Sequence, residues 1–251
     1  MNNGRMLFEV ERLSYSYGHR QAVREASFDI REGEIFGFLG PNGAGKTTTI
    51  SCMSGLLADW QGEMRFADQP FLPAKRLRDR QQLGVVPQEL ALYDELTGRE
   101  NLEFFAGLSG MTGGRRDESV RKALELAGLT ERADDRVKQY SGGMKRRLNL
   151  AAGDLHQPAL LLLDEPTVGV DPQSRNHIFD ALFDLRKSGR TLLYTTHYME
   201  EAQRLCDRVA IMHDGALVAV GTPAELAERA GIPGANLENV FLELTGRSLR
   251  D

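Results

Sequence analysis

The stretch "EIFGFLGPNGAGKTTTI", Glu34–Ile50, decides the fold. Its first part is apolar and strand-sized, and it runs directly into a glycine-rich loop. The loop, Gly40–Thr47, has the spacing G-x-x-x-x-G-K-[ST]. Glycines at these places let backbone N–H groups turn inward around phosphate oxygens. Lys46 is placed to reach the β- and γ-phosphates, and the Thr47 hydroxyl is placed to ligate Mg²⁺. Pro41, Asn42, Gly43, Ala44, Gly45 and Thr48 complete the expected cradle. The residues after the loop read as a helix through "KTTTISCMSGLL". Thr47, Thr48, Thr49 and Ile50 are poor helix formers, so tertiary packing has to override local propensity there.

Farther along, "LLLLDEP" (160–166) supplies the expected companion. Four leucines in a row suit a central strand buried on both faces. The chain then leaves at the carboxyl edge of the sheet, where ligands bind in such folds. Adjacent residues of a strand point to opposite sides. On that reading Asp164 supports a Mg²⁺ shell, while Glu165 orients and deprotonates water.

Around these two landmarks the pattern alternates. The chain begins with β texture in "LFEVERLSYSY" and "AVREASFDI", with "YGHR" as the turn between them. Short strands are expected at "GEMRFA" and "LGVVPQ". From about Tyr93 to Leu155 three helical stretches follow one another, separated by glycine-containing breaks. Strands return in "ALLLLDEP", "RTLLYTTH", "RVAIMHDG" and "ALVAVG". Helices are expected in "PQSRNHIFDALFDLRKSG" and "YMEEAQRLC", with two short ones after Thr222 and near "ENVFLELTG". The fold class is therefore α/β: a phosphate-loop NTPase core with a mostly parallel sheet, an N-terminal antiparallel β-portion and an inserted helical portion. The expected organisation is a single domain over 1–251, with its core at 1–92 and 156–220. The helical subdomain is expected at 93–155 and a helical tail at 221–251.

The totals bound the function. The chain has 251 residues and a formal net charge of −5, which gives no general reason to expect nucleic acid as a partner. Basic runs such as "KRLRDR" (75–80) read as a solvated helix face. Cys52 and Cys206 are the two cysteines, in no CxxC pattern, so neither a disulfide framework nor a zinc site is expected. The first residues show no apolar core of a secretory signal. The longest apolar run, "ALLLL" at 159–163, falls far short of the ~20 residues a membrane helix needs.

One stretch stands apart. "YSGGMKRRL" (140–148) opens a helix with a serine and two glycines, a place to hold an anion. With it the chain resembles the ATP-binding subunits of ABC (ATP-binding cassette) transporters over nearly its whole length. "GPNGAGKT" resembles their Walker A motif and "LLLLDEP" their Walker B motif. "VVPQEL" resembles the Q-loop, "YSGGMKRRL" the signature, "TVGVDP" the D-loop and "YTTH" the H-loop. "YSYGHR" looks like the aromatic loop.

The resemblance implies roles for particular residues. Tyr17 would stack on adenine, with Tyr15 as the alternative. Gln88 would contact Mg²⁺ or the attacking water, His197 would donate to the γ-phosphate, and Asp171 would act across a subunit boundary. His19, His156, His177 and His213 receive no role. Two subunits would pack head to tail, each ATP lying between one Walker A loop and the partner's Ser141, Gly142 and Gly143. The signature departs from the usual Leu-Ser-Gly-Gly-Gln: Met144 cannot make a glutamine's hydrogen bonds.

The expected cofactors are ATP and Mg²⁺. The expected partners are a second, identical ATP-binding subunit and an integral membrane permease, with no nucleic acid. The expected location is the cytoplasmic face of the membrane, peripheral through the permease. "THYMEEAQRLCDRVAIMHDGALVAVGTPAEL" and "NVFLELTGRSLRD" most resemble the drug, lipid and polysaccharide exporter branch. A cytosolic ABC ATPase without a transport role, such as an iron–sulfur-assembly type, and a nucleotide-gated regulator without turnover remain alternatives.

Overall fold

A computed structural model describes residues 4–246. In chain order the elements are β1 (Met6–Tyr17), β2 (Arg20–Arg31), β3 (Ile35–Leu39), α1 (Lys46–Met53), β4 (Gln61–Phe66), β5 (Gln69–Pro70) and α2 (Leu77–Arg80). There follow β6 (Leu83–Val86), α3 (Gly98–Leu108), α4 (Gly113–Ala127), α5 (Gly142–Asp154), β7 (Leu160–Asp164) and α6 (Pro172–Lys187). The chain continues through β8 (Thr191–Thr196), α7 (Met199–Leu205), β9 (Arg208–His213), β10 (Ala216–Gly221), α8 (Pro223–Arg229) and α9 (Leu237–Thr245). The last five residues of the tail sequence "NVFLELTGRSLRD" lie outside the described residues. No described helix is long and apolar enough to cross a membrane.

The chain divides into two compact units: one takes in everything up to Arg80 together with the residues from Gly189 on, the other spans Gln81–Ser188. In the first unit, β1 pairs antiparallel with β2 and β4, and β4 with β5. A second layer has β3 parallel to both β8 and β9, with β10 antiparallel to β9. Every residue of β3 and of β8 is buried, as a parallel strand covered on both faces requires. Phe28 of β2 joins the layers by packing edge-on to Phe38 of β3, ring centroids 4.9 Å apart. Arg208 closes the end of the core, donating to Asp29 at 2.8 Å and Glu34 at 3.3 Å. Burial alone would raise the Asp29 carboxyl; the Arg208 hydrogen bonds and charge more than offset it and hold it below its ordinary range.

In the second unit β6 runs parallel to β7, and all five residues of β7 are buried. Helices α3, α4 and α5 share a core of Leu102, Ala106, Val120, Leu124, Leu148 and Ala151. Local chemistry sets the ends of these helices. Thr97 and Glu100 form a reciprocal capping box at the start of α3. Gly128, with φ of 61°, stops α4. The expected helical segment 93–155 falls inside this unit, which also holds β6, β7 and α6.

Two local features depart from expectation. Helix α1 stops at Met53, four residues before the end of the sequence stretch read as helical, because Gly55 turns left-handed against the backbone of Pro73. A Cβ on Gly55 would lie 2.7 Å from the Pro73 carbonyl carbon. Glu165 is not part of β7: the strand ends at Asp164, and Glu165 takes φ of 46°. Strand alternation therefore does not separate the two acids; a left-handed backbone does.

Candidate active site

In the first unit the phosphate loop lies where β3 leaves the sheet. Leu39 pairs with Thr196 in parallel register, and the Gly40 N–H donates to the Thr196 carbonyl at 3.4 Å. The loop and His197 thus leave the sheet together, each one residue past a paired position. His197 is half-buried, and its ring lies 4.0 Å from that of Tyr198.

Glycine is required at both ends of the loop's tight part. A Cβ on Gly40 would sit 2.2 Å from the Met212 carbonyl oxygen. Gly45 has φ of 104°, and a Cβ there would sit 2.6 Å from the Ala22 carbonyl oxygen. Lys46 is 4% exposed, and its ammonium donates to the carbonyls of Gly40 at 2.7 Å and Pro41 at 3.1 Å. The cation is therefore held inside the curve of the loop, while Asn42, Gly43 and Thr47 are exposed and Pro41 and Thr48 half-exposed. Thr49, fully buried, returns its hydroxyl to the Gly45 carbonyl at 2.9 Å. That bond and the burial of Ile50, Cys52 and Met53 hold a helix that propensity alone would not.

Just past the turn between β1 and β2, the first residue of β2 approaches the same loop: a Cβ on Gly43 would lie 3.9 Å from an Arg20 guanidinium nitrogen. Tyr17, just before this turn, is 53% exposed. Tyr15 is half-buried and packs edge-on against it at 5.0 Å.

The second unit holds Gln88, Ser141–Gly143, Asp164, Glu165 and Asp171. Asp164 and Glu165 are buried at the end of β7. Gln88 is exposed two residues past β6. Ser141 caps α5, its hydroxyl accepting from the Met144 N–H at 3.2 Å. Ser141 and Gly142 are exposed, whereas Gly143 is buried against Ser174 of α6. Asp171 caps α6 by accepting from the Ser174 N–H at 2.9 Å. That N–H and the Ser174 hydroxyl hold its carboxyl below its ordinary range.

Sequence reasoning missed three polar groups at these loops. Asn149, buried in α5, accepts from the Ala91 N–H at 3.2 Å and donates to the Pro87 carbonyl at 3.4 Å. Arg146 donates to the Gln88 carbonyl, and to that of Val168 at 3.3 Å. Glu201, buried in α7, accepts from the Tyr194 and Thr196 hydroxyls, each at 2.8 Å. The available signal was a polar residue at a position that helical periodicity assigns to the buried face, as for Asn149 within "RLNLAA". His156 donates from Nε2 to the Leu83 carbonyl at 3.0 Å, a structural contact.

A strand, a glycine loop and a buried lysine opening a helix make a phosphate-binding device. Comparison with known proteins agrees. The ABC transporter family pattern matches residues 23–168. The linearmycin resistance ATP-binding protein LnrL of Bacillus subtilis is 45% identical over 90% of this chain and 72% of its own length. The Nod factor export ATP-binding protein I of Paraburkholderia xenovorans is 38% identical over 97% of this chain and 98% of its own. Among solved structures, an ATP-binding subunit of an ABC transporter superposes with a TM-score of 0.85 at 30% identity, covering 95% of this chain and 99% of that one. The cbiO1 subunit of Clostridium perfringens, part of an ABC transporter complex, gives 0.81 at 27% identity, over 89% and 91%. The chain belongs to the ABC transporter family, as an ATP-binding subunit with the ATPase activity of that family.

Proposed function

We propose that this subunit hydrolyses ATP to power export through a separate membrane permease, working as a head-to-tail homodimer on the cytoplasmic face of the membrane. The observation that carries the reading is the buried Lys46 ammonium, held by loop carbonyls at the mouth of a glycine cradle. A cation so placed exchanges weak carbonyl partners for phosphate oxygens, which bind it more strongly. Gly40–Thr48 hold the phosphates, and the exposed Tyr17 takes the adenine ring in preference to Tyr15. Glu165 accepts a proton from water, Gln88 orients that water, and His197 donates to the γ-phosphate.

A magnesium ion suits the donor set, because the Thr47 hydroxyl, the Asp164 carboxylate and the Gln88 carboxamide are all hard oxygen ligands. When bound it neutralises charge on the β- and γ-phosphates. The exposed start of α5, at Ser141 and Gly142, meets the γ-phosphate held by the partner subunit. Asp171, a cap within its own chain, lies in the loop that faces the partner.

The 93–155 helical segment docks the permease. Its support is an exposed apolar patch: Tyr93 and Phe104 pack edge-on at 4.9 Å, and Leu108 beyond them is 71% exposed. Export is supported by relatives whose own names specify Nod factor export and linearmycin resistance.

The test is ATPase activity of Lys46→Ala, alone and with the permease that co-purifies in mild detergent. ATP affinity and turnover should both collapse while the thermal melt stays within a few degrees. Wild-type turnover in the folded variant would overturn the assignment.

A further inference from the structure

Three cations follow the signature serine and glycines, and each is engaged within its own unit. Lys145 pairs with Asp94 at 2.6 Å. Arg147 donates to the last carbonyls around the end of α4, at Ala127 and Gly128. Arg146 is different, because its two acceptors belong to two loops far apart in sequence: the Gln88 carbonyl after β6 and the Val168 carbonyl before α6. The Arg146 residue is half-buried, and its bond to Val168 is shielded from water in part. A guanidinium presents its donors in a rigid planar fork, and one such group can hold two carbonyls at once. A lysine ammonium on a flexible stem has no such fork.

We infer that Arg146 is a positioning residue that clamps the loop at Gln88 and the loop at Val168–Asp171 to the signature helix, so that the three shift as one body. This inference rests on the proposed roles of those loops in hydrolysis. Asn149 reinforces one side only, through Ala91 and Pro87. On the other side, the Val168 and Val170 N–H groups close turns onto Glu165 and Thr167, next to the proposed base. A displacement of the loop at Pro87–Ala91 would therefore pass through α5 and the clamp to Val168.

The test is amide hydrogen exchange on the whole chain, paired with ATPase kinetics. In Arg146→Ala, exchange should rise about tenfold both at Ala91 and at Val168 and Val170, the scale expected for losing a charged hydrogen bond. In Arg147→Ala both segments should stay within about twofold. Arg146→Lys should keep only one segment protected. The kcat of Arg146→Ala should fall about tenfold with KM for ATP within about twofold, because the phosphate loop is untouched. Arg146→Gln, which keeps an amide donor, should show the same kcat-only loss if the alanine variant does not fold. Exchange rising at neither segment or at only one in Arg146→Ala, full protection of both in Arg146→Lys, or a loss carried by KM would overturn the clamp. The exchange measurement requires no catalysis, so the two readings fail separately. Undiminished turnover in Gln88→Ala and Asp171→Ala would remove the loops from the mechanism and leave the clamp standing.

Discussion

At Glu165 the backbone adopts φ of 46°, a region that costs a non-glycine residue about 1–3 kcal/mol. The residue is also buried, at 5% exposure, directly after a strand of four leucines and an aspartate. A carboxylate held in this way has a fixed direction, which a general base needs. Glu165→Gln preserves shape and burial but accepts no proton. Its turnover should fall by roughly 100-fold or more, with ATP binding retained. Single-turnover hydrolysis together with nucleotide titration checks this; a variant that hydrolyses normally removes Glu165 from the chemistry. A second expectation concerns a thiol close to the phosphate loop. Burial in α1 pushes the Cys52 thiol up to about 12, and burial also pushes Cys206 up. The reactive thiolate is therefore almost absent at pH 8, and both residues are sterically covered. Iodoacetamide at pH 8 should modify neither within the time that labels both in denaturant. Rapid labelling of native Cys52 would contradict the packing around α1, and of native Cys206 the packing at the end of α7.

The signature helix shows how element-level packing carries the site. A Cβ added to Gly143 would lie 2.0 Å from the Ser174 hydroxyl oxygen and 2.5 Å from the Ser174 Cβ. Rotating the hydroxyl away relieves the first contact but not the second, so α5 and α6 must separate. Gly143→Ala should destabilise the protein by about 1–3 kcal/mol, the scale of overpacking. Ser174→Gly in the same chain should recover part of that loss, less about 1 kcal/mol for glycine in a helix. Thermal melts of the single and double variants decide it, and an unrescued loss would place the strain elsewhere. Glycine at this position is legible in the sequence as part of a motif, but its neighbour on α6 is not.

The same division holds for the other elements. Strands β3 and β7 are legible because their apolar runs end in charged or glycine residues, and α3 because a helical stretch lies between glycine-containing breaks. The stop of α1 at Met53 depends on Pro73, a contact that no local pattern encodes. Glu165 was legible as an acid after a strand, while its left-handed backbone was not. The cations at 145–147 are legible only as part of the signature stretch, and only the fold assigns Arg146 to two carbonyls.

At the scale of the whole molecule, the proposed head-to-tail homodimer makes a prediction that a self-contained subunit does not. In Lys46→Ala the cation facing the phosphates is gone. In Ser141→Arg a bulky side chain occupies an exposed helix start that the proposal assigns to close phosphate approach. Each variant alone should be inactive. When the two are mixed and allowed to exchange subunits, a mixed dimer has one composite site with both defects and one with neither. ATPase activity should return, at most to the fraction of intact sites. If each chain served its own nucleotide, every site would keep a defect and no activity would return. A silent mixture is also what strict two-site cooperativity produces, because both sites would then have to be intact. The companion measurement resolves this. Wild type is titrated with the double variant Lys46→Ala/Ser141→Arg, with mixed dimers verified by two affinity tags. In the shared-site arrangement each site of a mixed dimer carries one defect, so excess double variant should suppress wild-type activity toward zero. Undiminished activity per wild-type subunit, with mixed dimers present, would show that each subunit works alone and would refute the head-to-tail arrangement.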